Sequence, residues 1–104
     1  MGYSTVVTHE AASGSWVVTL RVSLDRAESN TLFLSGDAMV SWPVEGLQAE
    51  SVGGAGLERT GMFVSEVAAR SSGLGIRYEE QSQAERAAAL LRLQFHQIGI
   101  KEEA

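Results

Sequence analysis

The sequence has no cysteine, a single proline at position 43 and a single lysine at position 101. Without cysteine, disulfides, thiolate metal sites and a cysteine nucleophile are excluded. No apolar run approaches the roughly 20 residues that a membrane-spanning helix needs. Residues 1–5 lack the charged segment and apolar run of a signal peptide. We therefore expect a cytoplasmic protein that does not insert into a membrane.

Basic residues are also scarce. Thirteen acidic against eight basic side chains give a formal net charge of -5, which disfavours sequence-independent binding to a phosphate backbone. Nucleic acid is therefore not an expected partner. A length of 104 residues, with 44% hydrophobic and 20% charged residues, fits one small globular domain over residues 1–104 with a single core.

Groups of residues that carry catalysis or bind metals are missing as well. His9 and His96 are the only histidines, and no further ligands at metal-binding spacing accompany them. No Gly-x-Ser-x-Gly motif is present, and the adjacent carboxylates Glu79 and Glu80 would point to opposite faces of a strand. The glycine run at residues 53–56 lacks the Gly-Lys-Ser/Thr ending of a phosphate-binding loop. We expect no enzymatic activity, no metal and no cofactor.

Apolar and polar residues alternate along several segments, which predicts a mainly β chain. The predicted strands cover residues 3–8, 16–24, 31–42, 61–68 and 73–78. Residues 25–30 are predicted to be a hairpin connection, and Gly36 to mark a bulge or bend. Pro43 is predicted to end the third strand because it lacks an amide donor. Residues 44–60 are predicted to be a flexible glycine-rich loop.

One helix is predicted near the C-terminus, at residues 82–98. Ser82 and Glu85 match the Ser-x-x-Glu capping box that begins many helices, and Gly99 is suited to the position after the last helical residue. One apolar stripe at three- and four-residue spacing consists of Ala84, Ala87, Ala88, Leu91, Phe95 and Ile98. We expect this stripe to pack on the sheet.

Two leucines of this helix, Leu90 and Leu93, lie outside the stripe. At 100° per residue, Leu93 lies nearly opposite its centre and Leu90 lies to its side. Isolated exposed leucines are common, and Leu90 could simply widen the core face. The alternative is that both leucines face a protein partner or a second copy of the chain.

The order of these segments resembles the PilZ domain family. The matching segments are the strand from Trp16 to Leu24, the segment Gly36-Asp37-Ala38-Met39-Val40-Ser41-Trp42, the strand Gly73-Leu74-Gly75-Ile76-Arg77-Tyr78, and the helix from Ser82 to Ile98. The resemblance implies a small β-barrel with one C-terminal helix. It also implies a role in bacterial signalling or in the control of motility.

Typical members of that family bind cyclic di-GMP through an Arg-x-x-x-Arg motif and an Asp/Asn-x-Ser-x-x-Gly motif. Neither occurs here, because no two arginines are four residues apart and the nearest match to the second motif has Gly56 and Glu58 at its key positions. The resemblance therefore implies a module that acts through protein–protein interaction without cyclic di-GMP. The alternative is a cyclic di-GMP receptor that uses Arg59, Arg70 and Arg77. A third interpretation is that these arginines are solvated surface charges with no role in ligand binding.

Overall fold

The computed structural model describes residues 2–34, 36, 38–41, 50–52, 61–70 and 72–103, with residues 50–52 described by their backbone alone. The elements in chain order are β1 (Gly2–Glu10), β2 (Ser15–Ser23), α1 (Arg26–Leu34), β3 (Met39–Ser41), β4 (Glu50–Val52), β5 (Gly61–Phe63), α2 (Val64–Ala68), β6 (Leu74–Tyr78) and α3 (Gln81–Gln97). Helix and strand have nearly equal shares of the described residues, so the fold is mixed α and β instead of mainly β.

The strands form an open antiparallel sheet, in the order β1-β2-β6-β4, and a separate pair, β3-β5. Tyr3 is opposite Val22, and Leu20 is opposite Leu74. The strands predicted at residues 3–8, 16–24 and 73–78 are confirmed. The described residues form two sheets and do not close a barrel, so the predicted barrel is not confirmed.

Alternation along β2 and β6 determines which face of the larger sheet is buried. Val18, Leu20 and Ile76 share that face and are fully buried, and α3 packs on it through Leu91 and Phe95. The Phe95 ring stacks on Tyr3, with the ring centroids 4.4 Å apart and the planes 15° apart. The predicted apolar stripe of the C-terminal helix is therefore the core face as far as Phe95.

The last residue of that stripe, Ile98, does not join the core and is 36% exposed. The chain turns at Gly99, where φ is +79°, a conformation that glycine adopts with little strain. The Ile100 amide then donates to the Phe95 carbonyl oxygen at 3.0 Å, and Ile100 is buried in place of Ile98. The left-handed turn after the helix thus decides which isoleucine reaches the core.

The N-cap of α3 also lies two residues before the predicted one, and the helix begins one residue earlier than predicted. Glu80, in extended conformation, is the N-cap, and its amide donates to Gln83 Oε1 at 3.0 Å. Glu80 and Gln83 form the capping box that the sequence pattern assigned to Ser82 and Glu85. A longer side chain can satisfy the same free amides at a helix N-terminus, so the motif type was correct and its position wrong.

The segment predicted as a hairpin connection and a long strand begins instead with the helix α1. Asp25 Oδ1 accepts a hydrogen bond from the Glu28 amide at 2.7 Å, and the Asp25 amide donates to Glu28 Oε1 at 3.1 Å. This reciprocal pair is a capping box, and it was legible in the sequence as Asp-x-x-Glu. This motif was overlooked because the apolar residues at even positions, from Leu32 to Val40, alternate as they would along a strand.

Gly36 ends α1 instead of bending a strand. Its φ is +85°, and its amide donates to the Phe33 carbonyl oxygen at 3.1 Å, as a glycine after a helix commonly does. The predicted strand 31–42 is thereby reduced to β3, which comprises Met39–Ser41. Pro43 and its predicted role lie outside the described residues.

The last two corrections concern the region between β3 and β6. The predicted strand 61–68 ends after three residues and continues as α2, because Val64 and Val67 are fully buried at the three-residue spacing of a helix face. Within the predicted loop 44–60, residues 50–52 form β4 and pair with β6. The rest of that loop lies outside the described residues.

Candidate functional site

The helix α1 packs unlike the other two helices. None of its residues is buried, whereas α2 and α3 each bury apolar side chains in the core. Phe33 is 82% exposed and Leu34 is 84% exposed. Sequence reasoning missed this feature because the segment was predicted to be a strand. The sequence does contain a signal for this helix, the capping motif Asp-x-x-Glu at Asp25, which is followed by the apolar run Leu32-Phe33-Leu34.

A cleft of about 1080 Å³ lies between α1 and the body of the protein. Its apolar lining includes Leu24, Leu32, Phe33, Ala68 and Ala69. Hydroxyl groups are supplied by Ser23, Ser29 and Ser65. Such a mixture of an apolar wall with a few polar groups is typical of binding sites for small molecules and for inserted side chains.

Two arginines, Arg21 and Arg70, line the same cleft, together with the carboxylate residue Glu103. Both arginines are exposed, and neither forms an ion pair with a residue in the described part of the chain. A tight turn brings them together: the Gly73 amide donates to the Arg70 carbonyl oxygen at 2.9 Å, and Gly73 lies against the Arg21 side chain. Guanidinium groups placed beside an apolar wall favour an anionic or acidic ligand.

Three arginines were predicted as ligand-binding residues, and of the two that the structure describes, Arg70 lies at this cleft and Arg77 does not. Arg77 on β6 is opposite Val17, and Val17 alternates with the core residue Val18, so Arg77 lies on the other face of the sheet. Its Nη2 donates to Glu10 Oε1 at 3.0 Å and to Oε2 at 3.1 Å. Arg59 lies outside the described residues.

The ion pair with Arg77 affects the titration of Glu10. Hydrogen bonds from the Ser13 hydroxyl and from Arg77 lower the pKa of the Glu10 carboxyl below its usual range, because both stabilise the charged form. Arg77 therefore has a structural partner on the sheet. Its position does not combine with Arg70 into a common site.

The structure separates the two leucines that were predicted to face a partner. Leu93 is 51% exposed, whereas Leu90 is half-buried. The Leu90 carbonyl oxygen also accepts a hydrogen bond from Gln94 Nε2 at 3.2 Å. Binding of a partner at Leu90 and Leu93 stays a prediction.

The residues considered for catalysis occupy ordinary structural positions. His9 lies against Trp16, with the ring centroids 4.6 Å apart, while Glu79 and Glu80 are exposed in the turn before α3. Among the described residues, no group of three or more His, Asp or Glu side chains could hold a metal ion. No described helix is long and apolar enough to cross a membrane.

Comparison with known proteins found no matching family model, no similar curated protein and no similar solved structure. The resemblance to the PilZ family thus rests on the sequence motifs alone.

Proposed function

We propose that this chain is a non-enzymatic regulatory module, of a kind similar to PilZ domains in bacterial signalling, that acts by binding a protein partner without cyclic di-GMP. The observation that carries the proposal is the exposure of Phe33, which lines the cleft, and of Leu34, the next residue of α1. The strand β6, followed by the C-terminal helix α3, supports the resemblance to PilZ domains. No residue of the cleft is assigned a catalytic role.

The exposed tip of α1 has the properties of a binding hot spot. Burial of apolar surface stabilises by roughly 25 cal/mol per Å². Covering the exposed Phe33 and Leu34 side chains on binding would therefore contribute a favourable free energy of several kcal/mol. Aromatic anchors in a pocket commonly dominate binding energy at protein interfaces. A partner side chain that packs between Phe33 and the wall at Leu24 and Ala68 would recover that gain.

The charges around the cleft specify the partner further. Arg21 and Arg70 carry positive charge without an ion-pair partner in the described ranges. A carboxylate next to the inserted apolar side chain would pair with either guanidinium, and partly desolvated pairs contribute more than those at an exposed surface. The partner we expect is therefore a segment with an exposed Leu, Phe or Met flanked by Asp or Glu.

Selection from a displayed peptide library tests this function directly. The wild-type protein should enrich peptides that contain an apolar residue next to an acidic one. Leu34→Ser on α1 should weaken their binding at least tenfold, whereas Leu93→Ser, a matched change of an exposed leucine on α3, should leave it unchanged. The opposite pattern would move the site to the Leu93 face, and no enrichment at all would contradict a peptide-binding function.

A second candidate function is a receptor for cyclic di-GMP. It is favoured by one observation, the presence of Arg21 beside Arg70 in a cleft with aromatic and hydroxyl-bearing walls, since guanidinium groups bind phosphates and stack on bases. Calorimetric titration should then show saturable heat that Arg70→Gln abolishes and that Arg92→Gln, a control on α3, preserves. No heat with a folded sample would exclude this function.

A further inference from the structure

A short segment after α3 extends the four-stranded sheet beyond β1. The Tyr3 amide donates to the Lys101 carbonyl oxygen at 3.0 Å, and the Glu103 amide donates to the Tyr3 carbonyl oxygen at 2.7 Å. The bridge that these bonds form joins Tyr3 to Glu102 and is parallel. Ile100, just before the segment, is buried. The segment is thereby held beside β1 in a defined register.

The register places Glu103 on the same face of the sheet as Arg21. In a parallel bridge, the residues that follow the bridged pair are neighbours in turn. Glu103 is therefore next to Ser4, and Ser4 is opposite Arg21 on β2. Neighbours across strands share a face, so Glu103 and Arg21 lie two strand spacings apart, roughly 10 Å between their backbones. Both residues line the cleft between α1 and the body of the protein.

The preceding residue, Glu102, lies on the opposite face. Its Oε1 is 3.5 Å from Nε of Arg92 on α3, and α3 packs on the face that contains Tyr3. Side chains alternate between the two faces along an extended segment. The adjacent glutamates therefore have different surroundings, since Glu102 pairs with a helix whereas Glu103 lines the cleft.

The charges that line the cleft are two guanidinium groups, on Arg21 and Arg70, and the Glu103 carboxylate. Together they leave one net positive charge. One carboxylate of a bound ligand would balance that charge. A second carboxylate would find no further cation among the described lining residues, and Glu103 would repel it.

We propose that Glu103 determines the specificity of the cleft, because its carboxylate disfavours ligands in proportion to their negative charge. The partner is then a segment with a single acidic residue beside its apolar anchor, and not one with a run of Asp or Glu. This inference rests on the proposed function, since it specifies the partner of the same cleft. A cyclic dinucleotide, which carries two phosphates, would be disfavoured by the same carboxylate.

The size of the effect follows from electrostatics. The repulsion between Glu103 and a ligand is proportional to the charge of the ligand. Removing this repulsion should therefore strengthen the binding of a dianion by the square of the factor gained by a monoanion of the same shape. Glu103→Gln removes the charge and keeps the size of the side chain. The bond from its backbone amide to Tyr3 does not depend on the side chain.

Two fluorescent probes of matched shape test this relation. 2-Naphthyl sulfate carries one negative charge, whereas 2-naphthyl phosphate carries nearly two at about pH 8, because the second pKa of a phosphate ester is about 6. We expect Glu103→Gln to bind the sulfate about threefold and the phosphate about tenfold more tightly than the wild type does. Glu102→Gln is the matched control. It should change both affinities by less than about twofold, since its side chain lies on the other face and the Debye length is about 8 Å at physiological salt.

Either of two results with the probes would overturn the inference. One is an equal change, or no change, of both affinities in Glu103→Gln. The other is no binding of either probe to either protein, because the cleft would then not attract anions.

Selected peptides separate this inference from the proposed function. Peptides with two adjacent acidic residues should bind Glu103→Gln about tenfold more tightly than the wild type, and peptides with one acidic residue about threefold. Enriched peptides whose affinity does not depend on Glu103 would overturn the inference and leave the proposed function standing. The expected pattern with both probes, without enrichment of any peptide, would support the charge selectivity and contradict the protein-binding function.

Discussion

At the scale of single residues, Gly73 has a strict steric requirement. Its φ is +77°, and a Cβ atom there would overlap the Leu20 carbonyl oxygen and lie 2.6 Å from Arg21 Cγ. The absence of a side chain allows the turn that carries Arg70 to rest on β2. One glycine thus links the packing of the sheet to the placement of both cleft arginines.

Gly73→Ala should therefore be more destabilising than an alanine placed in a merely left-handed turn. Gly99→Ala is the matched control, because Gly99 has a similar φ of +79° but no atom near the position of a Cβ. We expect a loss of about 1 kcal/mol for Gly99→Ala from backbone strain. The additional overlap at Gly73 should add roughly 1–3 kcal/mol, which urea unfolding can measure. Equal losses would show that the turn moves away from β2 at no cost.

Tyr78 makes the stability of the protein depend on pH in the alkaline range. Burial raises the pKa of Tyr78 to about 12 from an ordinary value of 10.0, since the ionised phenolate is poorly solvated in the core. The unfolded chain therefore loses this proton at lower pH than the folded one. Stability from the neutral phenol is fully present below about pH 10 and is lost as pH rises towards 12.

We expect the free energy of unfolding to fall by up to about 2–3 kcal/mol between pH 10 and 12 on account of this group. In Tyr78→Phe the free energy of unfolding should fall less over this pH range, by that amount. Some alkaline loss of stability should remain, because burial also raises the pKa of Tyr3. Urea unfolding of both proteins at several pH values gives the comparison. An identical slope in the two proteins would contradict the assignment to Tyr78.

At the scale of elements, Gln94 connects the small β3-β5 sheet to α3. Its Oε1 accepts from the Ser41 amide at 2.7 Å, and its Nε2 donates to the Ser41 carbonyl oxygen at 2.9 Å. A side-chain amide thereby reproduces the two hydrogen bonds of an antiparallel neighbour. The helix is joined to the edge of β3 as a strand would be.

Gln94→Leu should loosen β3 without unfolding α3. Because the two hydrogen bonds are exposed, we expect a loss of only about 1 kcal/mol in global stability, but much faster hydrogen exchange of the Ser41 amide. Gln97→Leu, an exposed change on the same helix, is the control and should leave that exchange rate unaltered. Unchanged protection of Ser41 in Gln94→Leu would mean that this pairing does not hold β3.

At the scale of the whole molecule, one core joins the sheet, α2 and α3, and α1 adds to it the partly buried side chain of Leu32. Leu91 and Leu93 are two residues apart on the same helix, yet Leu91 is fully buried and Leu93 is 51% exposed. They provide a direct measure of how much of the stability depends on that core. They also separate core packing from any role of the outer face.

Leu91→Ala should reduce stability by about 2–5 kcal/mol, as truncation of a buried leucine does, which is a large share of the total for a small domain. Leu93→Ala should change it by less than about 0.5 kcal/mol, as exposed substitutions usually do. Thermal and urea unfolding of a dilute sample provide both values. A large loss for Leu93→Ala would indicate that this leucine is covered, by a partner or by a second copy.

The sequence by itself determined the elements whose periodicity and burial agree. Residues 16–24 alternate because one face of β2 lies in the core, and the stripe from Ala84 to Phe95 repeats at helical spacing because one side of α3 lies in the core. In both cases local pattern and tertiary packing require the same residues. The turn at Gly99 and the capping motif near Glu80 were legible for the same reason, with small errors in position.

Only the tertiary structure decided which surfaces are left uncovered. In residues 25–34 the alternation of apolar residues and an Asp-x-x-Glu cap predict different structures, and the helix that forms contributes no buried residue. Arg21 and Arg70 are 49 positions apart in the printed sequence and meet at one cleft through the turn at Gly73. The edge position of β1 follows from strand order, which places β2 and β6 inside the four-stranded sheet. Sequence periodicity indicates which face of a helix or strand is buried. The cleft depends instead on which helices and strands lie next to each other. Packing of the whole chain determines that arrangement.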